Sequence, residues 1–257
     1  MKNSVYFIGA GPGDPKLLTI RGKELIDAAD VIIYAGSLVN PEILSECKAQ
    51  ASIYNSASMT LEEVICVIKE SVNKNKRVVR VHTGDPSIYG AIREQFDALS
   101  ALGISYELIP GVSSFSAAAA SIKKEFTLPG VSQTLILTRL EGRTPVPQKE
   151  QLEELAKHQT SMALFLSVGM MEEVVERLLT SYPKATPVAV IQRASWNDEK
   201  IVIGTLDNIA TKVKEAKITK TAQILVGKFI DGEYERSLLY HETFTHEYRK
   251  AKESGSE

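Results

Sequence analysis

Short apolar runs alternate with helical patterns through the first half of the chain. Val5 to Ile8 is a continuous apolar run that ends at a glycine, which is typical of a parallel strand buried on both faces. The other strands predicted in this half are Val31 to Tyr34, Arg77 to Val81 and Tyr106 to Ile109. Apolar residues recur at helical spacing between these runs, most clearly behind Thr60 and Glu63, which have the spacing of a capping box. Strands and helices that alternate in this way predict a mainly parallel sheet covered by helices.

The second half contains further strand and helix patterns after a break rich in small residues. Residues 113–130 hold the alanine run Ala117 to Ala120 and a Pro-Gly turn, which predict a connection between two domains. Strands are predicted beyond this connection at Thr134 to Thr138, Met162 to Ser167, Pro187 to Gln192, Ile201 to Gly204 and Gln223 to Val226. The strands on either side of Trp196 resemble a hairpin, so the second sheet is expected to be mixed.

The pattern therefore predicts an α/β fold of two α/β domains, with a mainly parallel N-terminal sheet and a mixed C-terminal sheet. We place the N-terminal domain at 1–112, the connection at 113–130 and the C-terminal domain at 131–232. Residues 233–257 form a polar, charged tail, and we expect its end to be frayed.

Net charge, the length of the apolar segments and the cysteine spacing argue against several classes of function. The 257 residues include 30 basic and 32 acidic side chains, and a net charge of -2 argues against broad attraction to nucleic acid or to an anionic membrane. No apolar segment reaches the roughly 20 residues that span a bilayer, and the N-terminus lacks the features of a secretory signal. Cys47 and Cys66 have no metal or redox spacing and are interpreted as packing residues. We expect a soluble cytoplasmic protein.

Glycine-rich loops follow three of the predicted strands. Gly9 to Asp14 reads GAGPGD, but Asp14 stands where the dinucleotide fingerprint needs its third glycine, and Pro12 lacks an amide donor for phosphate. His82 to Gly90 and Pro110 to Ser114 are the other two loops. Ligands bind at the carboxyl ends of strands in open α/β sheets, so the loops predict a binding edge. Asp85 could accept hydrogen bonds from a ligand there or could cap the next helix.

Other common chemistries lack support in the sequence. The four histidines have no metal-ligand spacing, and neither a GxSxG elbow nor a Walker sequence is present. Trp196 lies beside Asn197 and Asp198, and we interpret it as hairpin packing rather than as a platform for a stacked ligand.

The three loops together resemble the tetrapyrrole methylase family, the class III S-adenosylmethionine-dependent methyltransferases. The similarity runs from about Val5 to Gly227, with GAGPGDPKLLT, HTGDPSIYG and PGVSS in the family's order. Tyr34 to Val39, which reads YAGSLV, and the histidine that opens the second loop resemble the subgroup that methylates C11 of precorrin-4 or cobalt-precorrin-4 in cobalamin synthesis.

The resemblance implies a cofactor, a substrate and an assembly. The cofactor would be S-adenosyl-L-methionine, with S-adenosyl-L-homocysteine as its product, bound in a cleft between the two domains and without a protein-bound metal. The substrate would be an anionic tetrapyrrole, and the protein would be a homodimer that binds neither nucleic acid nor membrane.

The resemblance also implies site residues. Pro12 would border the cofactor, and Ser113 and Ser114 would form part of its wall. The residues that would hold the cofactor's methionine and ribose are Thr83, Gly84, Asp85 and Ile88. The second domain would contribute the residues around the adenine, which are Leu166, Val168, Ala194 and Ala222. Tyr34 and Ser37 are expected near the reacting ring, and no general base is assigned. The arginines that could bind the substrate's carboxylates are Arg21, Arg80, Arg93, Arg139, Arg143 and Arg193.

Three alternatives stay open at this point. The same fold could methylate uroporphyrinogen III or another position of a precorrin. A non-catalytic nucleotide-binding module could use the same loops to hold a ligand, and a structural α/β protein would use them only as turns.

Overall fold

The computed structural model describes residues 5–142 and 144–251. The chain divides into two compact units, the first of which comprises Met1–Ser121 and Arg193–Lys200. The second comprises Ile122–Gln192 and Ile201–Glu257. A short segment from the second half of the sequence therefore belongs to the first unit.

The first unit is built on a five-stranded sheet. Its strands are β1 (Val5–Gly9), β2 (Val31–Tyr34), β3 (Ser52–Asn55), β4 (Val78–His82) and β5 (Tyr106–Ile109). They lie in the order β3-β2-β4-β1-β5, and each adjacent pair is parallel, which confirms the prediction of a mainly parallel sheet. The edge strand β3 was not predicted because it has four residues and exposes Ile53 and Tyr54, so neither an apolar run nor alternation marks it.

Helices and apolar clusters cover both faces of this sheet. The helices are α1 (Ile20–Asp27), α2 (Leu61–Asn73), α3 (Arg93–Ala101) and α4 (Ser114–Ser121). The predicted capping box of α2 is confirmed, since Thr60 Oγ1 accepts from Glu63 N at 3.3 Å and Thr60 N donates to Glu63 Oε2 at 2.8 Å. Helix α4 lies in the segment expected to be a connection, where its alanines favour a helix as strongly as any residue can.

The second unit contains the mixed sheet. Its strands are β6 (Leu135–Arg139), β7 (Ser161–Phe165), β8 (Pro187–Gln192), β9 (Lys200–Thr205) and β10 (Ala222–Val226). The order is β6-β7-β10-β8-β9, with β6 parallel to β7 and β10 antiparallel to both of its neighbours. The prediction of a mixed sheet is therefore confirmed. The helices α5 (Leu152–Ala156), α6 (Met171–Leu178) and α7 (Ile209–Glu215) bury apolar residues in one core with this sheet.

The C-terminal segment has local structure as far as it is described. Ser237 caps a turn of 3-10 helix at Leu238–Tyr240, and Arg249 Nη2 donates to the carbonyls of Leu239 and His241. Side chain to backbone hydrogen bonds hold turns in this part of the tail, and residues 252–257, at the end expected to fray, lie outside the described residues. Within residues 5–142 and 144–251, no helix is both long enough and apolar enough to cross a membrane.

Candidate active site

Three glycines bring the predicted loops into contact at one edge of the first sheet. Strands β4, β1 and β5 are adjacent and parallel, so their carboxyl ends share this edge. A Cβ atom on Gly9 would lie 2.5 Å from Gly84 O and 2.6 Å from Gly111 Cα. Gly11 and Gly84 also exchange two backbone hydrogen bonds, of 3.2 and 2.9 Å. Glycine is needed here because the backbones approach too closely for any side chain.

Asp85 ties two of these loops together. Its Oδ2 accepts from Gly111 N at 2.9 Å, and its Oδ1 accepts from the backbone and the hydroxyl of Ser87. Partial burial alone would raise the pKa of Asp85, but the hydrogen bonds from Ser87 and Gly111 outweigh it and hold the pKa below its usual value. Asp85 is therefore an ionised group that orders the loops, and it does not cap the next helix, α3, whose N-cap is Ile92.

Thr83 offers a hydrogen-bonding group that the chain itself does not use. Its Oγ1 is buried and has no hydrogen-bond partner among the described residues. Buried hydroxyls are nearly always paired, so an orphaned one at the ligand edge of a sheet fits a bound polar group.

His82 and Arg80 are buried ionisable residues of β4, the strand that leads into the same loop. Arg80 is 7% exposed, and its guanidinium donates to Gln95 Oε1 and to the carbonyls of Ile33 and Val81, none of which is charged. Burial lowers the pKa of Arg80 to about 10, so the group stays protonated at neutral pH. Burial, together with the charge of Arg80, lowers the pKa of His82 to about 3. His82 is therefore neutral, and its ring stacks on Phe7 at 5.9 Å.

The remaining predicted residues of the first unit lie on or near this edge. Ile88 is half-buried in the loop after β4, Ser113 is 8% exposed, and Ser114 begins α4. Tyr34 ends β2, next to β4, and packs partly against the core of the unit. Ser37 lies in the 3-10 helix Gly36–Leu38, and its side chain lies outside the described part of the structure.

The residues expected from the second domain divide between the two units. Leu166 follows β7 in a left-handed conformation, with φ of 56°, and is 68% exposed. Val168 is buried in the core of the second unit, and Ala222 begins β10. Ala194 belongs to the segment Arg193–Lys200 and therefore to the first unit.

Trp196 contacts the first glycine loop directly, which the sequence did not predict. Its Nε1 donates to Pro12 O at 2.9 Å, and Ser195 Oγ accepts from Asp14 N at 3.0 Å. Trp196 packs against Arg193 of its own segment, in line with the packing interpretation, and it also bonds to a loop more than 180 residues earlier in the chain. A single tryptophan between two predicted strands carries no sequence signal for such a partner.

The candidate arginines are mostly engaged within the protein. Arg21 pairs with Glu107, Arg93 with Asp97 and Arg193 with Asp198. Arg139 donates to the carbonyls of the loop that follows β6. Arg143 lies outside the described residues. Arg21, Arg93 or Arg193 would therefore have to exchange a surface partner to bind an anionic substrate, which costs little for an exposed ion pair.

An edge built from three glycine loops, on a two-unit α/β fold, agrees with one class of enzyme. Residues 4–210 match the family of tetrapyrrole (corrin/porphyrin) methylases. The chain belongs to this family and is a methyltransferase.

Individual relatives are similar over nearly the whole chain. A cobalt-precorrin-4 C(11)-methyltransferase of Methanocaldococcus jannaschii is 60% identical over 249 residues, which cover 96% of each chain. A precorrin-4 C(11)-methyltransferase of Pseudomonas aeruginosa is 47% identical over 96% of this chain and 98% of its own. The X-ray structure of a cobalt precorrin-4 methyltransferase, a cobalamin biosynthetic enzyme, superimposes with a TM-score of 0.87 at 45% identity, over 88% of this chain and 95% of its own.

Proposed function

We propose that this protein transfers a methyl group from S-adenosylmethionine to C11 of cobalt-precorrin-4, or of precorrin-4, in cobalamin biosynthesis. The contact of the three glycine loops at one sheet edge is the observation that supports a cofactor site. The substrate follows from the relatives, of which the M. jannaschii enzyme, at 60% identity, is named for the cobalt-containing form.

The residues at this edge fit the proposed cofactor. Gly9, Gly84 and Gly111 keep the edge free of side chains, so that a ligand can approach the backbone. Thr83 Oγ1 is a buried hydroxyl with no hydrogen-bond partner among residues 5–142 and 144–251, as expected of a group that bonds to the ligand. We propose that Thr83, Gly84, Ile88, Ser113 and Ser114 contact the methionine and ribose portions, and that Asp85 shapes the loops around them.

Further contacts with the cofactor are proposed from the resemblance to the family. Pro12 would border the cofactor, and Ala194 lies in the same unit. Leu166, Val168 and Ala222 would contribute around the adenine. Leu166 is the best placed of these three to meet a ligand, because its side chain is exposed and its backbone is held in a conformation that costs energy.

The chain's contribution to the reaction is placement. S-Adenosylmethionine, when bound, supplies a methyl group already activated by its sulfonium. The protein has to hold the acceptor carbon in line with this methyl and to keep water away, and such positioning can supply several kcal/mol of the barrier, about 7 to 11 in favourable cases. Tyr34 and Ser37, after β2, are proposed near the reacting ring. His82 is neutral and enclosed, so we assign it no proton transfer.

Methylation with labelled cofactor tests the proposal. The purified protein is incubated with methyl-labelled S-adenosylmethionine and either cobalt-precorrin-4 or precorrin-4, and the product is analysed by mass and by NMR. We expect one label, at C11, with the faster rate for the cobalt form. Label at another carbon, or with uroporphyrinogen III instead, would assign the protein to another reaction of the family. Binding of S-adenosylhomocysteine without transfer to any tetrapyrrole would favour a non-catalytic module.

The assembly is proposed to be a homodimer. Light scattering after size-exclusion chromatography should give twice the chain mass of 28.2 kDa.

A further inference from the structure

A segment from the second half of the sequence is hydrogen-bonded to the first glycine loop. Arg193–Lys200 lies between β8 and β9 in the chain but belongs to the first unit. Trp196 Nε1 donates to Pro12 O at 2.9 Å, and Asp14 N donates to Ser195 Oγ at 3.0 Å. Both ends of the turn Pro12 to Asp14 are thus held by hydrogen bonds from the same segment.

Gly13, between these two anchors, is shaped to receive the indole. A Cβ atom on Gly13 would lie 2.1 Å from Cδ1 and from Nε1 of Trp196, so only glycine lets the ring lie against the backbone here. Asn40 Nδ2 donates to Gly13 O at 2.9 Å. Because Asn40 directly follows the YAGSLV segment, the turn is also linked to the loop proposed to lie near the reacting ring.

The segment is itself constrained to present Trp196. Arg193 and Ser195 both adopt left-handed conformations, with φ of 52° and 69°, which non-glycine residues hold only when their surroundings enforce it. The guanidinium of Arg193 lies 4.0 Å from the centre of the indole ring. Glu199 Oε2 accepts from Ser195 N and from Ser121 Oγ, each at 2.7 Å. Strain of this kind concentrates where geometry matters for function.

We propose that Trp196 is a positioning residue for the methyl donor: its indole and its hydrogen bond to Pro12 fix the turn Pro12 to Asp14 against which the donor binds. This inference rests on the proposed function, because the turn matters to binding only if the donor lies on it. Trp196 acts through Pro12 and Gly13 and takes no part in the transfer itself. Its loss should therefore weaken donor binding much more than it slows the chemical step.

Trp196→Phe is the decisive variant, because it keeps an aromatic ring and removes the indole N–H that donates a hydrogen bond to Pro12 O. We expect the Kd for S-adenosylhomocysteine and the KM for S-adenosylmethionine to rise about 3- to 10-fold, the worth of one hydrogen bond, with kcat changed by less than about twofold. Tyr182→Phe is the matched control. It removes a 2.6 Å hydrogen bond from a buried aromatic side chain to Thr160 O in the second unit, and should leave Kd and KM unchanged.

Equal Kd values for Trp196→Phe and wild type, or an equal rise in both variants, would overturn the inference. Should Trp196→Phe fail to fold, the wild-type protein still decides, because Trp196 is its single tryptophan. Titration with S-adenosylhomocysteine should change the tryptophan emission with the Kd found by calorimetry. Calorimetric binding with constant emission would refute the role of Trp196 and leave the proposed function intact. No binding to wild type would refute the proposed function first.

Discussion

Gly9→Ala should break the contact on which the proposed site depends. The added methyl carbon would lie 2.5 Å from Gly84 O, 2.6 Å from Gly111 N and 2.6 Å from Gly111 Cα. Ordinary contact begins at 3.4 Å, so the atoms are about 0.9 Å too close. All of these neighbours are backbone atoms of two other loops, and none can rotate away.

The cost can be judged from this geometry. Overpacking by one methyl in a close-packed interior costs about 1 to 3 kcal/mol, and a rigid backbone on two sides places Gly9→Ala at the upper end, about 3 kcal/mol. The loops that follow β1, β4 and β5 must move apart to admit the methyl. We therefore also expect the affinity for S-adenosylhomocysteine to fall by at least about tenfold, since small displacements of positioning groups have effects of this size or larger.

Two other glycines supply controls. Gly103, in the same unit, has a φ of 65° and no atom within 4 Å of an added Cβ, so Gly103→Ala should cost only the backbone strain, about 1 to 2 kcal/mol, and should not affect binding. Among the described residues, an added Cβ on Gly142 meets Met170 Cε at an ordinary contact distance of 3.7 Å, so Gly142→Ala should change stability by less than about 0.5 kcal/mol. Urea unfolding followed by circular dichroism measures stability, and calorimetry measures Kd. A Gly9→Ala protein with the stability and the affinity of Gly142→Ala would refute the reasoning.

Three further variants test the groups at the same edge. Thr83→Val removes a buried hydroxyl that has no partner, so stability should hold or rise slightly, while the Kd for S-adenosylhomocysteine in calorimetry rises about 3- to 10-fold; an unchanged Kd would show that the hydroxyl does not meet the ligand. The pKa of Asp85 is lowered on folding, so its stabilisation is complete above the unfolded value of about 4 and is lost as the pH falls through the folded value. Asp85→Asn should lower the free energy of unfolding by about 1 to 3 kcal/mol at pH 7 and should make it fall less steeply as the pH is lowered. An equally steep fall in the variant and the wild type would contradict this. The pKa of His82 falls to about 3 from an ordinary 6.5, so neutral His82 favours folding above pH 6.5 and this advantage is lost as the pH falls toward 3. His82→Leu should reduce the slope over that interval by up to about 1.4 kcal/mol per pH unit, measured by urea unfolding at each pH, and an unchanged slope would show that His82 is not buried neutral.

The sequence predicts the buried strands better than the peripheral elements. Val31–Tyr34 and Pro187–Gln192 have the predicted bounds, because strands buried on both faces are mainly apolar runs, and the short edge strand Tyr106–Ile109 was predicted as well. The edge strand Ser52–Asn55 has backbone pairing on one side only and needs no such run. Helix Ser114–Ser121 was missed because small residues also mark linkers, and alanine has no periodic pattern when buried on several sides.

In the candidate site, too, local features could be predicted from the sequence and contacts between distant residues could not. The three glycine loops could be found because each follows a strand, and the carboxyl ends of parallel strands meet. The contact of Trp196 with Pro12 and Gly13 could not be predicted from the sequence, since it joins residues about 184 positions apart and leaves no periodic pattern. Sequence spacing also could not choose among the candidate arginines, because their partners are set by folding.

The ionisable groups described at this sheet edge are paired within the protein or held neutral, which agrees with the proposal that the site works mainly by placement. The Asp85 carboxylate is taken up by Ser87 and Gly111, His82 is held neutral, and the Arg80 guanidinium faces Gln95 and carbonyl oxygens. These groups have fixed the backbone before any ligand arrives, and a methyl group that is already activated needs placement rather than proton transfer. Substitutions that move the backbone, such as Gly9→Ala, should therefore damage this enzyme more than removal of a single ionisable side chain. In an enzyme that works by general acid and base catalysis the order would be reversed.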